Sequence, residues 1–298
     1  MLQTMFSSPI LHIEELHPGY EDHASDVWLV KTKDEEVIVR SSKLEKEPNN
    51  DFWWGCKQLF GINPRSVHNL EIVNHSLGQY TALPIPKVLR KYVLDREYIV
   101  VEKLEGQMLQ SFFNQPDSLL HNFGKGLAEI HQYKTNYVGN PSRTHQIPLH
   151  SFHQHVIQTS TELIERFHSH NQKIRNRLKK FFSQTASLPT PEEASFVLID
   201  MDPTQFLTDG QKITGLVDTE AYAIAPREFD FIGLEYLFTE AEATAFQKGY
   251  ETISPLPNLT QCRAPYRYLY RLLSIQGSVN LDEWIEHPSF FKLLSNTI

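Results

Sequence analysis

The sequence predicts an α+β fold of two lobes, an N-terminal lobe rich in strands followed by a larger, mostly helical one. Three observations carry that prediction. The apolar, β-branched and aromatic runs Val27-Trp28-Leu29-Val30 and Val37-Ile38-Val39-Arg40 flank the polar break Lys33-Asp34-Glu35-Glu36, which is the pattern of a hairpin. Beyond Gly106 the apolar period lengthens, with Leu119, Phe123, Leu127 and Ile130 at helical spacing. Two short apolar runs, Phe196-Val197-Leu198-Ile199 and Ile213-Thr214-Gly215-Leu216-Val217, add one small hairpin to the helical part.

Taken in order, residues 10–40 read as β structure, entered at Pro9-Ile10-Leu11 and turned at Gly19. A helix is expected around Val67–Leu77, with Pro84-Ile85-Pro86 ending it, because proline disfavours helix at the residue before it. Tyr98-Ile99-Val100-Val101 is the next strand and leads to Glu105-Gly106. A helix then runs up to His131, a second long one is expected between Ser151 and Phe182, and Ser187-Leu188-Pro189-Thr190-Pro191 forms a loop. Helices fill most of the chain from Phe231 onward. The lobes are accordingly expected at residues 1–103 and 104–298.

The 298 residues, 40% hydrophobic and 21% charged, suit a globular protein with a full core. Cys56 and Cys262 are the two cysteines, far apart and in no metal-type spacing, so neither a disulfide framework nor a cysteine zinc site is expected. The N-terminus carries no signal-peptide pattern and no run approaches the roughly 18 apolar residues of a membrane span, so a cytoplasmic protein without membrane contact is expected. Residues 192–298 hold seven basic against sixteen acidic residues. That imbalance repels nucleic acid and attracts a small cation. His150, His153, His155, His168 and His170 place at most two rings on one helical face, so packing rather than zinc is expected of them. No feature of the sequence specifies an oligomeric state.

The chemically informative stretch is residues 196–220, FVLIDMDPTQFLTDGQKITGLVDTE. It holds Asp200, Gln205 five positions later, and Asp218 at the end of an apolar strand. Phosphoryl transfer needs a carboxylate to take the proton of the attacking hydroxyl and oxygen ligands to hold magnesium on the nucleotide phosphates. Two acids flanking an amide meet both needs.

This stretch resembles the catalytic loop of the aminoglycoside phosphotransferase and choline kinase families, usually His-Gly-Asp-x-x-x-x-Asn followed by a strand and Ile-Asp. The resemblance implies a protein-kinase-like fold, ATP and Mg2+ as cofactors, and a small-molecule hydroxyl as acceptor. It implies Asp200 as catalytic base, Gln205 and Asp218 as metal ligands, and Leu207 beneath the adenine. The hairpin carrying Val27 and Ile38 resembles the strands that cover ATP, with Arg40 at the position of the phosphate-binding lysine, Glu71 as its ion-pair partner, and Gly19 through Ser25 as the loop over the phosphates. Tyr98–Gly106 resembles the hinge, where the Glu102 carbonyl and the Leu104 N–H would bind adenine. Leu127-Ala128-Glu129-Ile130-His131 and Phe229-Asp230 match further family motifs, and order and spacing agree over residues 15–235.

Three positions depart from the pattern. Leu198 stands for the loop histidine, Gln205 for asparagine, and Arg40 for lysine. Glutamine adds a methylene to a ligand of a metal that demands near-octahedral geometry, and arginine is a planar fork where lysine is a point charge. An impaired, pseudokinase-like protein that binds nucleotide or a small ligand is therefore the alternative to an active kinase. Asp202, before Pro203, reads as a turn former. A protein kinase is disfavoured, since only about ten residues separate Asp218 from Phe229-Asp230 and no activation segment is present.

Overall fold

The structure, a computed structural model, describes residues 1–16, 24–277 and 279–292. After a 3-10 turn at Leu2–Met5 the chain runs through β1 (Ile10–Glu15), β2 (Ser25–Thr32), β3 (Glu36–Ser42), two helices, α1 (Asp51–Phe60) and α2 (Leu70–Tyr80), then β4 (Val88–Val93) and β5 (Glu97–Glu102). The strands form one antiparallel sheet ordered β1-β2-β3-β5-β4. The β2–β3 turn closes because the Thr32 hydroxyl accepts the N–H groups of Asp34 and Glu35, each at 3.1 Å. Alternation then sorts side chains to two faces. Val30, Val37, Val39 and Val100 pack with Met5 and Phe6 on one face, and Ile99 and Val101 pack with Val67 and Leu70 on the other.

The remaining elements are β6 (Gln107–Met108), α3 (Asp117–Ile130), β7 (Tyr137–Gly139), β8 (Gln146–Pro148), α4 (Leu149–Phe167), α5 (Gln172–Ala186), β9 (Ser195–Leu198), β10 (Phe206–Thr208), β11 (Ile213–Leu216), β12 (Tyr222–Ala225), α6 (Glu228–Leu237), α7 (Glu240–Tyr250), α8 (Arg263–Leu272) and α9 (Leu281–Ile285). The molecule is thus α+β, an antiparallel sheet followed by a helical part. In place of one small hairpin the helical part carries two small sheets, β11-β10-β6 and β8-β7-β12-β9. Among the described residues no helix is long and apolar enough to cross a membrane.

Two helix boundaries differ from expectation. The single helix expected over 151–182 is broken in two. His168 leaves helical geometry and its Nε2 meets the Leu272 carbonyl at 2.8 Å, while the Asn171 side chain caps α5 by accepting the Ile174 N–H. The helix expected at Val67–Leu77 begins as a 3-10 turn, becomes α-helical at Leu70, and stops at Tyr80, before the prolines.

Packing does not follow chain order. α1, capped by Asn50 and stopped by Gly61 at φ 66°, lies early in the chain, yet its fully buried Cys56, Leu59 and Phe60 belong to the large core beneath α4 and α8. Burying side chains of the size of Leu59 and Phe60 contributes about 1.5–3 kcal/mol each. That anchors the segment after β3 to the helical part.

Candidate active site

The loop between β9 and β10 is clasped at both ends. Asp230 Oδ1 accepts the Leu198 N–H at 2.9 Å, and its Oδ2 lies 3.0 Å from Nε2 of His131, whose Nδ1 meets the Tyr250 hydroxyl at 2.8 Å. All four groups are buried, so the loop entry is fixed by a satisfied polar chain, while the Leu198 side chain packs into the core. Downstream, Asp202 caps the turn Pro203–Gln205, accepting the Thr204 N–H at 2.8 Å. Gln205 closes the loop on itself. Its Nε2 donates to the Asp200 carbonyl at 2.8 Å and its Oε1 accepts the Asp202 N–H at 2.9 Å.

Asp200 stands within this clasp with its carboxylate accepting no hydrogen bond from any described residue. Burial, reinforced by Asp202 and Asp218, raises that carboxyl to about 6. It is therefore an acid–base group poised near neutrality with free lone pairs.

Asp218 follows β11 in the left-handed region, φ 58°, a conformation an aspartate tolerates better than most residues and which turns its carboxylate out of the strand. The carboxylate accepts from Nη2 of Arg40 at 2.6 Å, and the same nitrogen lies 3.1 Å from Oε1 of Glu220. Burial alone would lower the Arg40 pKa, but Glu220 and Asp218 more than offset it, so the guanidinium stays charged. The second oxygen of Glu220 accepts from the Ser25 hydroxyl at 2.6 Å.

The expected ion pair of Arg40 with Glu71 is absent. Glu71 lies half exposed beside Lys91. The cause is helical phase, since α2 turns Leu70, Val73, Asn74 and Leu77 inward and leaves Glu71 outside. The inward polar residue is Asn74, which donates to the Pro86 carbonyl at 2.9 Å and accepts from the Thr219 hydroxyl. Neither Asn74 nor Glu220 figured among the sequence candidates. Glu220 left a signal, a second acid two positions after Asp218, whereas Asn74 left none.

Val27 pairs with Arg40, Leu29 with Ile38, and Ile38 with Val101, so Val27, Ile38 and Arg40 share one sheet face. Across the hinge, Leu104 and Leu207 meet at Gly215, where an added Cβ would lie 3.0 Å from Leu104 Cδ1 and 3.1 Å from Leu207 Cδ1. Gly106, at φ 140°, is needed for its backbone and its space, because a Cβ there would sit 2.3 Å from the Thr214 hydroxyl. The Glu102 N–H is used by the Lys87 carbonyl at 2.9 Å, and the Leu104 N–H is free of partners among the described residues. Gly19 lies outside the described residues.

No trio of histidine, cysteine, aspartate or glutamate converges as a metal site among the described residues. His153 and His155 instead bond separately to Tyr266 and to the Gln58 carbonyl. The hard oxygens of Asp218 nevertheless fit magnesium, which is commonly held by one or two carboxylates together with substrate phosphates. Gln205 offers a metal only the second lone pair of an Oε1 that already accepts the Asp202 N–H.

The family model for the phosphotransferase enzyme family (APH) matches residues 19–265. No curated protein matches the chain. Among solved structures, the GDP complex of wild-type aminoglycoside 2'-phosphotransferase-IIIa aligns with a TM-score of 0.61 at 17% identity, over 96% of this chain and 93% of that one. A spectinomycin phosphotransferase in complex with ADP and spectinomycin aligns with a TM-score of 0.60 at 11% identity, over 92% and 85%. An apoenzyme macrolide 2'-phosphotransferase from Brachybacterium faecium aligns with a TM-score of 0.58 at 11% identity, over 97% of both chains. Likeness at these identities establishes a shared fold.

Proposed function

The chain belongs to the APH phosphotransferase enzyme family, and from that premise we propose that it transfers the γ-phosphoryl group of ATP to a hydroxyl of a small, cationic molecule. The observation that carries this reading is the Asp200 carboxylate, without a hydrogen-bond partner among the described residues and raised to about 6, in a loop that Gln205 closes on itself. A general base works best with a pKa near the working pH and lone pairs open to the substrate.

In the proposed reaction the acceptor oxygen bonds to the γ-phosphorus and the bond from that phosphorus to the β,γ-bridging oxygen breaks. ADP departs, and the hydroxyl proton passes to Asp200. Asp218 would hold magnesium, which when bound neutralises phosphate charge. Arg40 would turn from Asp218 to the phosphates, a fork well matched to their geometry. The apolar Leu104, Leu207, Val27 and Ile38 would enclose the adenine, with the free Leu104 N–H as donor and the Glu102 carbonyl as acceptor. The acidic balance of the last third supports a cationic acceptor. The raised Asp200 carboxyl, which nucleotide binding alone would not need, supports an active enzyme over a ligand-binding relative.

The test pairs binding with chemistry. Mg-ATP at millimolar concentration should raise the melting temperature of the parent protein by mass action, and Asp218→Ala should largely remove that rise. Mass spectrometry across aminoglycosides, macrolides, amino alcohols, sugars and nucleosides should find one class gaining a phosphoryl group. A parent protein that neither binds Mg-ATP nor modifies any acceptor would refute the proposal.

A further inference from the structure

Two consecutive strands, β2 and β3, converge on one carboxylate far along the chain. Arg40 from β3 approaches Glu220 Oε1 at 3.1 Å, and Ser25, the first residue of β2, donates to Glu220 Oε2 at 2.6 Å. Glu220 itself lies in the short turn Thr219–Ala221 directly after Asp218, and its side chain is 13% exposed. Oε2 is satisfied by the Ser25 hydrogen bond, whereas buried Oε1 makes no hydrogen bond and depends on the charge of Arg40 beside it. Arg40 meanwhile leans on two acids with a single nitrogen, Nη2, and the closer of the two is Asp218 at 2.6 Å.

We propose that Glu220 is the positioning residue for the nucleotide phosphates: it holds Arg40 and the start of β2 in place, the role expected of Glu71. The inference rests on the nucleotide reading above. Asp218 cannot serve both magnesium and Arg40 at full strength, so nucleotide binding loosens the shorter of the two ion pairs. Glu220 remains and keeps the guanidinium aimed at the cleft. Because Ser25 shares the carboxylate, β2 and β3 are set relative to one another at the end where phosphates would lie. Glu71 is excluded from this role by its outward phase on α2 and its bond to Lys91.

The experiment measures ATP affinity, with magnesium and with EDTA, for the parent, Glu220→Ala, Arg40→Ala and the double variant. Glu220→Gln, which keeps the volume and one accepting oxygen, is measured alongside in case the alanine variant folds poorly. Loss of a charge-assisted contact predicts that Glu220→Ala weakens ATP binding about tenfold with magnesium and less in EDTA, where Asp218 still holds Arg40, with Glu220→Gln intermediate. The double variant should bind no more weakly than Arg40→Ala, since Glu220 acts through Arg40. A loss in magnesium that persists undiminished in the Arg40→Ala background would make Glu220 a metal ligand and overturn the proposal. So would additive losses, or a lowered melting temperature with unchanged affinity, which is the signature of a structural role. Absence of ATP binding by the parent overturns the nucleotide reading and this inference with it, whereas equal binding by the parent and both Glu220 variants overturns this inference alone.

Discussion

The raised Asp200 carboxyl weakens the folded state at neutral pH. Its folded carboxyl titrates near 6 against an ordinary 3.8, so between those values the native protein binds more protons than the unfolded chain. Its contribution to stability is therefore full below about 3.8 and is lost as pH rises through about 6. Asp200→Asn removes the buried charge, and at about pH 8 it should stabilise the apo protein by on the order of 2 kcal/mol, a gain that shrinks toward pH 5. Denaturant midpoints at the two pH values measure it, and a variant less stable than the parent at the higher pH would mean that the carboxylate has a partner. Turnover, which needs the ionised base, should fall as pH drops through about 6. Asp200 and Asp218 could be singled out from the sequence because their signal is local, two acids at fixed spacing around an amide on one short stretch of chain. The partner of Arg40 was not, because Glu220 and Asp218 reach it across most of the sequence, with Asp218 removed by 178 positions and Ser25 from Glu220 by 195. Only the packing of α2, which decides that Asn74 faces in and Glu71 out, settles which acid is near.

The β9–β10 loop is a unit of its own, and Gln205 is its clasp. The added methylene that separates glutamine from asparagine lets one amide reach both the Asp200 carbonyl and the Asp202 N–H. Gln205→Asn should shorten that reach, break one of the two hydrogen bonds and lower stability by about 1 kcal/mol. It should also leave magnesium-dependent nucleotide affinity unchanged or weaker. A tighter metal site in that variant, read by titrating magnesium against ATP binding, would show that the amide serves the metal and not the loop. The helices illustrate what the sequence carried at this level. α3 was legible from period alone, since its apolar residues recur without interruption. α1 was passed over although Asn50 and Gly61 mark its ends, because its aromatic and glycine-containing interior blurs the apolar stripe. α4 and α5 merged into one expected helix because both are amphipathic and the break at His168 is set by a contact to the Leu272 carbonyl, 104 positions away. β4, with Val88, Arg90 and Tyr92 half-buried and the residues between them exposed, is an edge strand whose charged positions hid its alternation.

At the scale of the whole molecule, the order of a strand-rich part and a helical part was readable from the change of hydrophobic period near residue 106, whereas the assignment of α1 to the helical core was not, since it depends on tertiary packing. That packing has a functional consequence. β3 carries Arg40, and the segment leaving β3 is rooted beneath α4 and α8, so the end of the sheet that holds Arg40 and the loop bearing Asp200 are tied through the core as well as through the segment after β5. The ion pairs of Arg40 with Asp218 and Glu220 add a third connection, the one that nucleotide would rearrange. In the proposed reaction, binding would depend on Arg40, Asp218 and the segment after β5, and chemistry on Asp200. The most direct measurement of that separation is single-turnover phosphoryl transfer to the identified acceptor by the parent and by Asp200→Asn at saturating Mg-ATP, with nucleotide affinity determined on the same samples. With Asp200 as the base, the rate should be about 10²–10⁴-fold lower in the variant with affinity nearly unchanged; a variant that transfers at the parent rate would contradict that role.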